Sequence, residues 1–246
     1  VVALLNHGMS IGQVRQVLDR DPAQFDPAPA PEPEVDSWRN TEERLLHAIA
    51  DFDEDALHAI YNDVLALYPV DIVTHRLIVP LLRKLGERWA QGLGSIAEEH
   101  FFSVFLRNKL GARFHHLNRD RRGPTLLAAC LPGEQHEVGL LLFALAALDR
   151  DYRLVLLGPN TPLGELPPVI ERAAIQAIVL AGSPEVAASV IEEQLPWLCQ
   201  TVRLPVFVGG QVVSAYRSLL ITAGAIPLDD DLNVALREID ATLARR

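Results

Sequence analysis

The chain has 246 residues, 49% of them hydrophobic, and a formal net charge of -10. That length allows about one or two domains with a real core. The acidic balance argues against a large nucleic-acid surface in these residues, because duplex binding draws on clustered Lys and Arg.

No stretch reaches the roughly 20 consecutive apolar residues of a membrane-spanning helix. The first residues lack the basic start and apolar run of a secretory signal. Cys130 and Cys199 lie far apart without metal-ligand spacing, so no disulfide framework is expected. A cytoplasmic protein without a membrane partner is the simplest expectation.

Taken in chain order, residues 1–5 are apolar and helical in character, and Ser10 is placed to cap a short helix over 11–18. Two short helices cannot form a core, so residues 1–24 read as the tail of a domain whose front lies outside this sequence. Residues 25–37 alternate proline with small or acidic residues and read as an extended linker.

Residues 38–122 read as four helices. Asn40, with Glu43, is expected to cap the first, Asp53 the second and Asp71 the third. The third carries Ile78, Leu81, Leu82, Leu85 and Trp89 on one face, with a kink expected at Pro80 and an end at Gly92 and Gly94. Ser95 and Glu98 form a capping box for the fourth, which runs to about His116. Short connections imply antiparallel neighbours in a bundle. The basic cluster Arg119, Arg121 and Arg122 reads as an interdomain hinge.

From Gly123 the period changes. Short apolar runs at 125–131, 154–157, 177–180 and 206–208, with a weak fifth at 226–228, alternate with helical patterns. The apolar run at 139–148 suits a buried helix. This alternation predicts a parallel sheet covered on both faces, in the flavodoxin-like version of the doubly wound fold. Such sheets bind ligands beyond the carboxyl ends of their strands.

The turn after the first strand reads Gly133-Glu134-Gln135-His136-Glu137-Val138-Gly139. It puts a histidine at the ligand-binding edge, with a carboxylate two positions earlier. A carboxylate bonded to one imidazole nitrogen fixes the tautomer and leaves the other for a metal. No second ligand stands nearby at zinc spacing. A lone histidine ligand therefore points to a metal whose other positions are already filled, as in a tetrapyrrole-type cofactor. The alternative is a surface or packing residue. Gly139 would let the helix start approach a bulky group closely.

This segment resembles the cobalamin-binding domain, whose motif is Asp-x-His-x-x-Gly followed by a Ser-x-Leu element and a Gly-Gly pair. Glu134 stands for the aspartate, while His136 and Gly139 match; Gly209-Gly210 follows the fourth strand. After the third strand the sequence is Ala181-Gly182-Ser183, with the serine offset and no leucine two places on. The resemblance implies that His136 is the lower ligand of cobalt, that Gly209 and Gly210 make room for the nucleotide tail, and that the serine of the middle element, here the offset Ser183, contacts the nucleotide base.

The helical half resembles the light-sensing regulators of the MerR superfamily (the CarH and LitR type). Their signature is a tryptophan separated by nine residues from Glu-His, as Trp89 is here from Glu99-His100. The resemblance implies a four-helix bundle over the upper corrin face, with Trp89 against an upper adenosyl group and Glu99 and His100 touching it or lining its pocket. Light-sensing members often carry a histidine directly after the tryptophan; here that residue is Ala90. His100, water or a different response then take the place of that second histidine.

Residues 1–18 resemble the last helices of a MerR winged-helix domain. The resemblance implies adenosylcobalamin as cofactor, a homo-oligomer (tetramer or dimer), and DNA as partner through an N-terminal domain outside this sequence. A corrinoid carrier for methyl transfer and a cofactor-free regulator of the same fold are the alternatives. No nucleophile, triad or phosphate loop points to an enzyme.

Overall fold

The computed structural model describes residues 35–68 and 70–245. The expected elements within residues 1–24 and the linker up to residue 34 lie outside the described residues. The chain divides into two compact units at Phe105 and Leu106, inside a helix.

The first unit is built from helices α1 (Val35–Ala50), α2 (Glu54–Leu67), α3 (Val70–Val73), α4 (Val79–Ala90) and the first part of α5 (Ile96–Leu117). A π-helical turn, Thr74–Ile78, joins α3 to α4 into one rod, so the unit is the expected bundle of four rods. Its core includes Leu45, Ile49, Leu57, Leu77, Leu81 and Phe102. Phe102 and Phe105 stack with centroids 6.3 Å apart, and Tyr61 meets Phe105 edge-on at 5.8 Å.

The helix starts follow local capping chemistry only in part. Asp53 caps α2 by accepting the Ala56 N–H at 2.9 Å. Ser95 caps α5: its hydroxyl accepts the Glu98 N–H at 3.2 Å. Asn40 does not cap α1, which is already helical from Val35; a helix can begin as soon as the prolines end at Pro33. Glu43 instead pairs with Arg39 one turn back, at 3.6 Å. Asp71 likewise lies inside α3, which starts at Val70.

The irregularity expected at Pro80 lies just upstream. Proline cannot donate to the carbonyl four residues back, and its ring crowds that carbonyl. The preceding turn opens into the π form, with the Val79 N–H reaching back to Thr74. At the far end of α4 the Gly92 N–H bonds the Trp89 carbonyl at 2.9 Å and the Leu93 N–H bonds that of Arg88 at 2.8 Å. This is the Schellman pattern that stops a helix and turns the chain.

The second unit contains the rest of α5, a 3-10 turn (Asn118–Asp120), and five strands: β1 (Thr125–Cys130), β2 (Arg153–Gly158), β3 (Ala177–Ala181), β4 (Val206–Gly209) and β5 (Ile226–Pro227). Between and after them run α6 (Val138–Asp149), α7 (Leu166–Ala173), α8 (Leu195–Thr201), α9 (Val212–Thr222) and α10 (Leu232–Leu243). All strand pairs are parallel, in the order β2-β1-β3-β4-β5. This is the expected flavodoxin-like sheet.

Strands β1, β3 and β4 are buried on both faces, as a parallel sheet flanked by helices requires. Leu127, Ile178, Leu180, Val206 and Val208 pack towards Ile191, Leu195, Leu198 and Val212. Helix α6 is apolar nearly all round and buried along its length. Beyond it α10 is held by Asp240, which pairs with Arg150 at 2.6 Å and accepts the Tyr152 hydroxyl.

The strand order places the switch in connection direction at β1. The loops after β1 and β3 therefore meet at the carboxyl edge, where such sheets leave a crevice.

Candidate functional site

The histidine turn sits at that edge. It begins at Gly133, whose φ of +87° is a conformation that glycine adopts without strain. Glu134 follows and is almost completely buried, at 3% exposure. A buried carboxylate needs partners, and this one has three. One oxygen accepts both the backbone N–H and the ring Nδ1 of His136, each at 2.7 Å. The other accepts the backbone N–H of Ser183 at 2.5 Å.

Burial alone would raise the carboxyl pKa of Glu134. The hydrogen bonds from His136 and Ser183 outweigh it and hold the group down at about 2, so it is a carboxylate at neutral pH.

With Nδ1 committed to Glu134, the imidazole presents Nε2 away from it. The side chain is 65% exposed at the sheet edge. A buried carboxylate behind an exposed imidazole is the usual support for a histidine metal ligand. Among the described residues no three His, Cys, Asp or Glu side chains converge as a metal site. A single imidazole supported in this way would suit a metal whose other positions are already filled, as in a tetrapyrrole-type cofactor.

Other edge residues shape the surroundings. Cys130, at the end of β1, is fully buried; its Sγ lies 3.9 Å from the His136 carbonyl. Burial, with the charges of Glu134 and Glu137, pushes its thiol up to about 12, so it is a packing group and not a nucleophile. Glu137 pairs with Arg107 of α5 at 3.8 Å.

Ser183 meets this network through its backbone. Gly139 is exposed near the start of α6, with open space where a side chain would stand. Gly209 ends β4 with only Leu228 near its missing Cβ, at 3.8 Å. Gly210 has φ +89°, and a Cβ there would lie 2.6 Å from the Gly182 carbonyl oxygen. So the second glycine of the pair is required by the chain's own backbone.

In the first unit, Trp89 lies in the last turn of α4, half exposed. It does not share the burial of Ile78, Leu81 and Leu85 on its helix. Glu99 and His100 lie near the start of α5, just past the tight turn, with Glu99 partly buried and His100 exposed. The turn thus gathers all three at one end of the bundle. Phe52, Leu93 and Ile96 are also exposed around the turns of that end, adding apolar surface beside the exposed Asp51, Asp53 and Gln91. Arg88 braces the turn by donating from Nη2 to the Leu93 carbonyl at 3.0 Å.

Sequence reasoning missed Arg88 and also Asn160, which bonds the histidine turn from the loop after β2. The only sequence signal for Asn160 is its place among turn-forming residues 158–162.

Residues 41–113 match the family described as B12 binding domain. Over 222 residues, 89% of this chain and 72% of the relative, the chain is 29% identical to the HTH-type transcriptional repressor CarH of Myxococcus xanthus. It is 26% identical to the HTH-type transcriptional repressor CarA of the same organism, over 89% of this chain and 71% of that one. Among solved structures, the monomethylamine corrinoid protein of Methanosarcina barkeri superposes with a TM-score of 0.62 at 12% identity, covering 84% of this chain and 97% of that one; this likeness speaks to the fold alone. The chain thus matches the B12 binding domain in its helical half and is similar over most of its length to two HTH-type transcriptional repressors.

Proposed function

We propose that this chain is the sensor region of a transcriptional regulator that binds adenosylcobalamin, responds to light, and passes the response to its oligomeric state and its hold on DNA. The observation that carries this reading is the Glu134–His136 pair, in which a buried carboxylate fixes one ring nitrogen and aims the other outward.

On this reading His136 would hold the cobalt, with Glu134 fixing its tautomer. Ser183, Gly139, Gly209 and Gly210 border the space for the corrin edge and the nucleotide tail. Trp89, Glu99 and His100 would be the residues that contact the cofactor's upper ligand. The cofactor, when bound, supplies a cobalt–carbon bond that light can cleave.

The chain's own part is to bind differently before and after that change. Trp89 and the exposed apolar side chains at that end of the bundle gain a partner in one state and lose it in the other, which is what a ligand-biased two-state element needs. The dark form is assigned as a homo-oligomer, a tetramer or dimer. DNA contact is assigned to an N-terminal winged-helix domain, with residues 1–24 as its end and the proline-rich stretch after them as linker; the relatives are named HTH-type repressors. Residues 38–122 are the sensing bundle and 123–246 the cobalamin domain.

The test is a visible spectrum and a size-exclusion profile of the chain with adenosylcobalamin, in the dark and after green light. Both should change on illumination; an unchanged pair overturns the photosensor reading. His136→Ala should weaken cobalamin retention by about tenfold or more, and equal retention removes His136 as ligand. A corrinoid methyl carrier would bind cobalamin yet keep its elution volume after illumination.

A further inference from the structure

The carboxylate of Glu134 can aim the His136 ring only if the backbone carrying it is itself held. Within the turn, the Glu134 N–H reaches the Leu131 carbonyl at 3.0 Å, a local bond. The remaining anchors of this backbone come from another strand's loop. The Asn160 side-chain Oδ1 accepts the Gly133 N–H at 2.8 Å. The backbone N–H of the same residue donates to the Glu134 carbonyl at 2.8 Å.

One asparagine thus brackets the peptide between Gly133 and Glu134 from both sides. Thr161 extends the grip, giving its backbone N–H to the Cys130 carbonyl at 3.2 Å and its hydroxyl to the Gly158 carbonyl at 3.1 Å. Asn160 sits at φ +47°, a left-handed conformation that asparagine tolerates better than most residues. The position therefore asks for a residue that accepts both that backbone and a side-chain acceptor at short reach.

We propose that Asn160 is a positioning residue for the cobalt ligand: it fixes the Gly133–Glu134 peptide, so that the Glu134 carboxylate orients the His136 imidazole for axial coordination. This rests on the reading of His136 as the lower ligand. Asn160 acts through Glu134 and has no role at the metal itself. The group that bonds a metal-ligating histidine tunes its affinity by about 10–100-fold, and Asn160 holds the backbone that carries that group.

Two substitutions separate the positioning role from a merely structural one. Asn160→Gly keeps the left-handed backbone but removes Oδ1. Asn160→Asp keeps both the backbone tolerance and an acceptor at the same reach. Each is made in the full chain, grown with isotopically labelled histidine and loaded with cob(II)alamin.

The readout is the axial nitrogen splitting in the electron paramagnetic resonance spectrum, whose pattern changes with the label only when the axial nitrogen belongs to the protein. Thermal unfolding of the cofactor-free chain is followed in parallel.

The wild type should carry the labelled pattern and His136→Ala should lack it. If both lack it, the assignment of His136 as ligand falls, and this inference with it. Given the wild-type pattern, Asn160→Gly should lower the fraction of cobalt carrying the labelled nitrogen about tenfold. Asn160→Asp should restore that fraction even if both variants melt at the same temperature. A full histidine pattern in Asn160→Gly overturns the proposal, and so does an Asn160→Asp variant no better than Asn160→Gly.

Discussion

The Trp89 end of the bundle and the histidine turn of the sheet domain hold their candidate residues in opposite ways. Trp89 and His100 project from the ends of helices, exposed. Their spacing comes from helix geometry and one Schellman turn. His136 is also exposed, but behind it stands a buried carboxylate with three donors, itself pinned by two loops. A metal ligand must meet its ion in one geometry, and that demands a rigid support. A surface that reports the loss of a ligand has to be free to settle elsewhere, and exposed side chains at helix ends can do so. Substitutions should therefore hurt the isolated sheet edge much more than the isolated bundle end.

The largest effect is expected at Gly210. Its Ala variant would force a Cβ to within 2.6 Å of the Gly182 carbonyl oxygen at a φ of +89°. Backbone, not a flexible side chain, blocks the space. Gly210→Ala should cost about 3 kcal/mol in urea unfolding. Glu134→Ala comes next. It strands the Ser183 N–H and the His136 N–H and removes the partner of the ring. The expected loss is about 2 kcal/mol, whereas His136→Ala, which truncates an exposed ring, should cost under about 1 kcal/mol. Equal losses at Glu134 and His136 would mean that the carboxylate is not the anchor of this edge.

Features with local causes were legible in the sequence. Asp53 and Ser95 cap helices as expected because a cap bonds the chain within three residues. Asn40 and Asp71 carry the same side-chain signal but fall inside helices that start earlier. A polar residue marks a cap only when nothing before it is helical, and the sequence between Pro33 and Asn40 contains no breaker. The five strands were readable from apolar runs between turns, and the Glu134–His136 pairing from its spacing of two. Asn160 was not readable. Its partner Gly133 lies 27 residues away, and the two meet only because β2 pairs with β1. Likewise, the need for glycine at 210 arises from Gly182 on the neighbouring strand's loop.

A smaller effect lies away from the edge, where α10 is latched to the sheet domain. The buried Tyr152 hydroxyl donates to Asp240. Burial first, then the hydrogen bond and charge of Asp240, raise the phenol above its ordinary value of 10. A group whose pKa is raised on folding stabilises the fold below its unfolded pKa and loses that contribution as pH climbs beyond it. Tyr152→Phe should therefore cost about 1 kcal/mol near neutral pH. The gap to wild type should narrow as pH rises past about 10. A gap that holds constant through that range would assign the effect to packing.

The smallest stability change is expected where the proposed function places the largest functional one. Trp89 is half exposed, so Trp89→Ala deletes little buried area and should shift unfolding by under about 1 kcal/mol, against the roughly 3–5 kcal/mol usual for a buried tryptophan. With adenosylcobalamin present the same substitution should lower the added stability that ligand binding gives the native state. Measuring the urea midpoint of both proteins with and without the cofactor separates the two. A loss confined to the loaded protein marks Trp89 as a contact surface held ready for a ligand. A loss of equal size in the cofactor-free chain would make Trp89 part of the bundle's core, and the contrast between a pinned sheet edge and an adjustable bundle end would be gone.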